Sequence, residues 1–159
     1  MVKFIILPLI FTFSGADKAK IEELTEDVLW MSTAVYFEAR SEPTAGQLAV
    51  ASVVKNRVES GRFPNTVEGV VTQGRKGKNG HPLRNKCAFS FYCDGKPEVI
   101  SDRASWRKAV EVSIHVLEGT IDYADGADHF ELKNRKPYWL SSMRKVATID
   151  KHNFYVAVR

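Results

Sequence analysis

The sequence predicts a single α+β domain, with helices first and a small antiparallel sheet late in the chain. Its 159 residues suit one globular domain with one hydrophobic core. Apolar residues recur at helical spacing in segments before Gly119, whereas strict alternation is found at the end, from Phe154 to Arg159. With 44% hydrophobic and 26% charged residues, the composition excludes a disordered, collagen-like or wholly membrane-embedded chain.

The first sixteen residues are predicted to be an export signal that precedes the domain. Lys3 is followed by a mainly apolar run, 4–13, and then by the small residues Ser14 and Ala16, where a signal peptidase would cleave. The run is short for a bilayer span, which needs about 20 residues. The alternatives are a buried N-terminal strand and a retained membrane anchor. We expect residues 17–159 to form one exported domain, in the periplasm or cell wall, that meets a membrane only through an uncleaved segment.

The first helix is predicted over residues 25–40. Its apolar residues recur in steps of four, three and four, the stripe of an amphipathic helix: Leu24, Val28, Met31 and Val35. Pro43 disfavours helical geometry at the residue before it, so the helix should end around 39–41. A second helix is expected over 44–58, where small residues allow close packing.

The remaining elements follow from turn residues and side-chain spacing. Basic residues interrupted by glycines predict an exposed loop over 74–86. A third helix should begin at Ser101 and Asp102 and stop at Gly119. The alternating tail reads as a strand, and an extended piece over 128–132 is expected to pair with it.

Two cysteines, Cys87 and Cys93, lie close together in the chain. In an exported protein they are expected to close a small disulfide loop; two free buried thiols are the alternative. Two cysteines without a His pair at ligand spacing do not predict a zinc site, and no metal is expected.

Glu38 stands out by its position in the first helix. It lies three residues after Val35, so it continues the apolar stripe and not the solvent face. In the last turn, the helix dipole and partial burial both disfavour a negative charge and raise the carboxyl pKa. A raised pKa suits a general acid near neutral pH. The alternative is a structural ion pair with Arg40 or another arginine.

The surroundings of Glu38 and several downstream pieces carry a resemblance to a known family. In order, the chain contains a run from Tyr36 to Pro43, then Gly46, Gln47, Asn56 and Arg57 on one helix, Phe63-Pro64, Phe89-Ser90, Asp94-Gly95, Gly126-Ala127, Pro137 with Trp139, and Ile149 with His152 and Phe154-Tyr155. In this order, over residues 28–156, the chain resembles the SleB-type cell wall hydrolases, the family of spore-cortex-lytic enzymes and some phage lysins.

The resemblance implies a lysozyme-like α+β fold and cleavage of peptidoglycan between N-acetylmuramic acid and N-acetylglucosamine. It implies that Glu38, which the helix argument also selects, is the catalytic glutamate, and no cofactor is expected. The chain departs from the family pattern at Ser41 and Asp150, where glycine is usual, and at Ala88, where glutamine is usual. Ala88 alters an expected sugar or backbone contact.

The sequence offers Glu38 no obvious carboxylate partner. Glu42 precedes Pro43 and is expected to leave the helix toward solvent. Glycosidases that use water generally need two carboxylates, whereas the C6 hydroxyl of muramic acid is a tethered nucleophile that a single acid and base can serve. The resemblance points the same way, to a lytic transglycosylase.

Six other residues are candidates for substrate binding. Two are polar residues on the second helix, and four follow from stacking of aromatic planes on sugar rings or from hydrogen bonding: Gln47, Asn56, Phe89, Ser90, Tyr138 and Trp139. Burial in the core, or a backbone partner, is the alternative for each. His152 is expected to be a structural histidine.

The expected partner is the peptidoglycan glycan strand, bound by a monomer. The net charge of +4 also suits nucleic acid, but the basic residues are spread over several segments and export would separate the chain from DNA. The basic loop could attract anionic stems or wall polymers, and salt would weaken that attraction. Two rivals stay open: a non-catalytic peptidoglycan-binding module, and an N-acetylmuramoyl-L-alanine amidase, which usually needs zinc.

Overall fold

A computed structural model describes residues 15–158. Its helices are α1 (Gly15–Ala39), α2 (Thr44–Glu59), α3 (Val67–Val71) and α4 (Arg103–Glu118), and its strands are β1 (Gly74–Lys76), β2 (Pro82–Cys87), β3 (His129–Leu132), β4 (Met143–Ile149) and β5 (His152–Ala157). Short 3-10 helices lie at Ser90–Cys93 and Tyr138–Ser142. The α+β class is thus confirmed, with a two-stranded hairpin before α4 and a three-stranded antiparallel sheet at the end.

The helix predictions hold for α2, α4 and the end of α1, but the predicted start of α1 was wrong. The helix begins at Gly15 and not near Thr25. Residues 19–24 consist of alanine, lysine, isoleucine, glutamate and leucine, most of which favour helix without help from an apolar stripe. Most of the predicted export signal lies outside the described residues, and only Gly15 and Ala16 of it fall within α1.

The predicted loop over 74–86 is a β-hairpin, which corrects the sequence prediction. β1 and β2 pair antiparallel, with Gly74 opposite Cys87. The Gly77 N–H donates to the His81 carbonyl at 2.9 Å, and Gly80 supplies the positive φ of 79° that the turn needs. Basic, polar and apolar side chains follow one another in the hairpin without a two-residue period. The sequence therefore lacks the alternation that identifies a half-buried strand.

The late sheet has the order β3-β5-β4, with both neighbours antiparallel to β5. The pairing of 128–132 with the tail is confirmed, since Phe130 faces Phe154 across the ladder. β4 was not predicted: it carries an irregularity between Lys145 and Ala147, so its side chains do not keep a period of two. Asp150, with a φ of 49°, lies in the turn from β4 to β5.

Helices α1, α2 and α4 enclose the main apolar core, in which Met31, Val35 and Val54 are fully buried. The hydroxyl of buried Tyr36 accepts a hydrogen bond from the backbone N–H of Asp102 at 3.1 Å. The side chain of Asp102 in turn accepts from Ala104 N–H and Ser105 N–H and caps α4. These contacts fix the C-terminal half of α1, and with it Glu38, against the rest of the domain.

Glu42 does not point toward solvent as expected; it is 7% exposed. Its carboxylate accepts from the Lys151 N–H at 3.2 Å and lies 3.4 Å from the Lys151 Nζ. Gly46 leaves room for it, because a Cβ there would lie 3.0 Å from the Glu42 Cβ. Glu42 therefore fastens the turn between α1 and α2 to the turn between β4 and β5. Among residues 15–158, no helix has the length and apolarity to cross a membrane.

Candidate active site

Glu38 lies in the last turn of α1, at the junction of two surface cavities. One cavity, of about 300 Å³, is lined by Ala88 and Ser90 together with residues from β3 and beyond. The other, of about 390 Å³, is lined by the end of α1, the 3-10 helix and the segment after it. Among residues 15–158, only Glu38 and Ser90 line both cavities. The two cavities therefore form one groove with the Glu38 carboxyl at its centre.

Burial, and after it the nearby carboxylate of Glu131, raise the pKa of Glu38 from 4.5 to about 7. Hydrogen bonding from the backbone of Ser90 and the positive charges of Arg135 and Arg57 act in the opposite direction. Since the net effect is a rise from 4.5, the carboxyl keeps its proton over a good part of the range near neutral pH. A group that is half protonated near pH 7 can both donate and accept a proton in a reaction.

The wall of the groove that carries Ser90, next to Glu38, is held in place by a disulfide. Cys87 and Cys93 are bonded, which agrees with the sequence prediction, and the bond encloses the 3-10 helix that begins at Ser90. Phe89 and Phe91 anchor this short segment in the core, at 1% and 8% exposure. Ser90 between them remains exposed and faces the groove.

Arg57 is a buried cation close to Glu38. Its Nε donates to the backbone carbonyl of Asp128 at 2.7 Å, and its guanidinium lies over the rings of Phe63 and Phe89. Burial lowers its pKa to about 10, so it remains protonated at neutral pH. Asp128 is paired in addition with Arg62 and with the ring of His129. Arg57 therefore supplies a fixed positive charge under the floor of the groove.

A second carboxylate, Glu131, lines the cavity with Glu38, which corrects the expectation that Glu38 lacks such a partner. Glu131 lies on β3, where its Oε1 accepts from the Leu132 N–H at 2.9 Å and lies 3.9 Å from Arg135. The sequence held one signal for it: a charged residue inside a strand expected to pair with an apolar tail is seldom there for packing. Its closeness to Glu38 depends on how β3 docks beside α1, which the spacing in sequence does not give.

Of the residues predicted to bind substrate, the structure brings Ser90 to Glu38 and leaves the two polar residues of α2 elsewhere. Gln47 is 3% exposed, and its Nε2 donates to the Glu42 carbonyl at 2.9 Å. Asn56 donates to the Ala127 carbonyl at 3.0 Å and to Asp122, beside a different cavity. Both side chains hold neighbouring segments in place.

The aromatic candidates also lie away from the two cavities. Phe89 is a core residue. Tyr138 is 93% exposed, and Trp139 packs against His129 and Tyr155 with ring centroids 5.5 and 5.8 Å away. His152 is buried, as expected of a structural histidine, yet it also lines the cavity that contains Glu131.

A metal site would need several donor side chains together. Within the described residues, no three His, Cys, Asp or Glu side chains are grouped so that they could hold an ion.

Comparison with known proteins places this geometry in context. A family model described as Cell Wall Hydrolase matches residues 41–155. Its match begins three residues after Glu38, so it covers most of the groove but not the carboxyl at its centre.

Among known proteins, the chain is 33% identical over 146 residues to a spore cortex-lytic enzyme of Halalkalibacterium halodurans, covering 87% of this chain and 39% of that protein. It is 32% identical over 128 residues to a spore cortex-lytic enzyme of Bacillus cereus, covering 80% and 43%. The chain thus spans about two fifths of the length of these relatives.

Two solved structures share the fold. The catalytic domain of the Bacillus cereus SleB protein superimposes with a TM-score of 0.61 at 28% identity, covering 83% of this chain and 91% of that one. The catalytic domain of the germination-specific lytic transglycosylase SleB from Bacillus anthracis gives a TM-score of 0.64 at 30% identity, covering 82% and 93%.

Proposed function

Because the chain belongs to the cell wall hydrolase family, we propose that it cleaves peptidoglycan glycan strands between N-acetylmuramic acid and N-acetylglucosamine, with Glu38 as both acid and base. One observation carries the proposal: the Glu38 carboxyl, whose pKa is raised to about 7, lies at the junction of two cavities in a single groove. The chain spans only part of the length of its relatives. The activity proposed here is assigned to the groove around Glu38, which lies within this chain.

The two adjoining cavities suit a linear polymer that passes through both of them. Each cavity, at about 300 and 390 Å³, lies near the lower end of the range for small-ligand sites, about 300–1,000 Å³. A glycan strand laid through both would place one sugar on each side of Glu38, and the bond between them beside the carboxyl. The glycosidic bond at the junction of the two cavities is therefore the one to which Glu38 can donate a proton.

In the proposed reaction, Glu38 donates its proton to the glycosidic oxygen, and the bond between that oxygen and the muramic C1 breaks. The muramic C6 hydroxyl then attacks C1, and its proton passes to the Glu38 carboxylate. A 1,6-anhydromuramic end forms, N-acetylglucosamine leaves with a free hydroxyl, and Glu38 regains its proton. The tether between C6 and C1 gives this attack a large effective concentration. The reaction is that of a lytic transglycosylase.

Hydrolysis is the second candidate, and Glu131 is the observation that favours it. A second carboxylate in the same cavity could activate a water molecule while Glu38 acts as the acid. Against that role, an oxygen of Glu131 is already engaged by the Leu132 N–H, and Arg135 lies beside the carboxylate. We therefore assign Glu131 an electrostatic effect on Glu38.

Product analysis tests the proposal. Purified sacculi digested with the chain should release muropeptides with anhydromuramic ends, which mass spectrometry distinguishes because they are one water lighter than reducing ends. Glu38→Gln should abolish release, whereas Glu111→Gln, a charge change on an exposed residue of α4, should not alter it. Reducing ends would support hydrolysis instead. Free stem peptides with intact glycan would indicate an amidase, and binding without products would indicate a non-catalytic module; either result refutes the proposal.

We also propose that the protein is exported and acts as a monomer, with peptidoglycan as its partner. The substrate proposed for the groove lies outside the cytoplasmic membrane, and a disulfide such as Cys87–Cys93 persists in oxidising compartments. N-terminal sequencing of the protein recovered from the cell envelope would show whether cleavage follows Ala16, and light scattering would give the oligomeric state.

A further inference from the structure

The strands β1 and β2 and the turn between them, residues 74–87, form a surface that we call the basic hairpin. Five exposed cations lie on it: Arg75, Lys76, Lys78, Arg84 and Lys86. The sequence has no Asp or Glu between Glu68 and Asp94. The hairpin therefore carries +5, and since the whole chain carries +4, all the other residues together carry −1. The hairpin alone thus accounts for the net positive charge, because the 18 Lys and Arg residues elsewhere are balanced by 19 Asp and Glu residues.

These charges are not neutralised inside the described part of the chain. The ion pairs found between residues 15 and 158 use other cations, namely Arg62, Arg135, Lys151 and the ring of His129. One cation of the hairpin is held: Arg84 Nε donates to the backbone carbonyl of Asp94 at 3.1 Å. Five like charges within fourteen residues repel one another, and a bound anion would relieve that repulsion.

The basic hairpin borders the groove that contains Glu38. Its last residue, Cys87, precedes Ala88, which lines the cavity of about 300 Å³. Arg84 reaches across to Asp94, which lines the other cavity. The Cys87–Cys93 disulfide ties the base of the hairpin to the wall that carries Ser90. The base of the hairpin therefore adjoins the groove through Cys87 and Arg84, and the other cations lie on the same hairpin.

We propose that the basic hairpin binds the free carboxylates of peptidoglycan stem peptides, so that the protein prefers strands whose muramic acids carry stems. This inference rests on the proposed function. In such strands the N-acetylated sugars are neutral and the lactyl carboxylate is used to attach the peptide, so the free carboxylates belong to the stem. A stem projecting from a muramic acid in the groove reaches the hairpin, whose base adjoins Ala88 of one cavity and Asp94 of the other.

The test compares two substrates that share the same glycan. Sacculi stripped of wall polymers supply strands with stems, and treatment with a muramoyl-alanine amidase supplies strands without them. In Arg75→Gln/Lys76→Gln/Lys78→Gln, KM on strands with stems should rise about tenfold, the order expected for the loss of three exposed ion pairs. Amidase treatment leaves one free lactyl carboxylate on each muramic acid, so strands without stems keep part of the negative charge. On these strands the KM of the variant should rise clearly less than on strands with stems. Added NaCl should weaken binding more on strands with stems than on strands without them.

A matched control removes three exposed cations from other surfaces. Arg103→Gln/Arg107→Gln/Lys145→Gln makes the same change of net charge on α4 and β4, and should leave KM on both substrates unchanged. Circular dichroism confirms that both triple variants are folded. An equal rise of KM on strands with and without stems, or the same loss in the control, would overturn the proposal.

A binding measurement separates this proposal from the proposed function. Glu38→Gln is expected to bind strands without cutting them, so its sedimentation with stripped sacculi reports on the hairpin without catalysis. Adding the three hairpin substitutions to it should lower the bound fraction on strands with stems. If binding falls only on sacculi that retain phosphate-bearing wall polymers, those polymers are the ligand and the assignment to stems is wrong. If unaltered chain yields no glycan products while the binding result holds, the proposed function alone fails.

Discussion

Replacing Glu38 with glutamine should stabilise the fold at pH 8 and not at pH 4. The folded chain holds this carboxyl at a pKa of about 7, whereas an ordinary glutamate has 4.5. Below pH 4.5 the carboxyl is mostly protonated in both the folded and the unfolded chain, so it does not lower the free energy of unfolding. As the pH rises from 4.5 to 7, the unfolded chain releases the proton first, and stability falls. Above pH 7 the full cost is present.

The size of this cost follows from the pKa. The gap between 4.5 and about 7 corresponds to about 3 kcal/mol, and because Glu38 is partly exposed and water screens its charge, this figure is an upper limit. Glutamine has a similar shape but no charge, so the variant avoids the cost. Relative to the unaltered chain, Glu38→Gln should gain up to about 3 kcal/mol of unfolding free energy between pH 4 and pH 8.

Urea unfolding followed by tryptophan fluorescence at pH 4, 6 and 8 measures these free energies by linear extrapolation. Groups that titrate alike in both chains cancel in the difference between them. Glu111→Gln, on the exposed face of α4, is the control and should show a difference that does not change with pH. If Glu38→Gln gives the same stability difference at pH 4 and pH 8, its carboxyl titrates normally, and the argument for Glu38 as a general acid fails.

Two further perturbations test the surroundings of Glu38. Glu131→Gln removes a negative charge that raises the pKa of Glu38, so the alkaline fall in the clearing of sacculi should move to lower pH; an unmoved profile would show that the two carboxylates do not interact. Cys87→Ser/Cys93→Ser opens a short loop, with a sequence separation of 6, and should cost about 2 kcal/mol in urea unfolding. The same variant should clear sacculi more slowly, because the wall carrying Ser90 loosens; full activity would show that this wall needs no covalent tie.

Much of the helical part could be predicted because its causes are local. The apolar stripe of α1 and Pro43 fix the end of that helix, and the same stripe turns Glu38 inward. The pKa of Glu38 then follows from burial, as the sequence suggested. Glu131 was missed for the opposite reason: its approach to Glu38 depends on how a late strand packs beside an early helix.

The other differences between expected and observed side-chain positions have a similar origin. Gln47 and Asn56 were expected in the groove because polar residues on an apolar helix need partners, and both found them in backbone carbonyls of other segments. Glu42 was expected in solvent because Pro43 ends the helix, but Lys151, far along the chain, draws it inward. The position of each polar residue in the sequence indicated that its side chain would need a partner. The identity of that partner depends on the tertiary fold.

The length of α1 sets the distance between the segment before the helix and the Glu38 carboxyl. Residues 19–26, which we call the stalk, are exposed, and at 1.5 Å per residue Gly15 lies about 35 Å from Glu38. If the segment before Gly15 stays in the cytoplasmic membrane, the stalk limits how far from the bilayer a glycan can be cut. If it is removed, the same carboxyl works at any depth of the wall, so one proteolytic event would decide which layers of the envelope are within range.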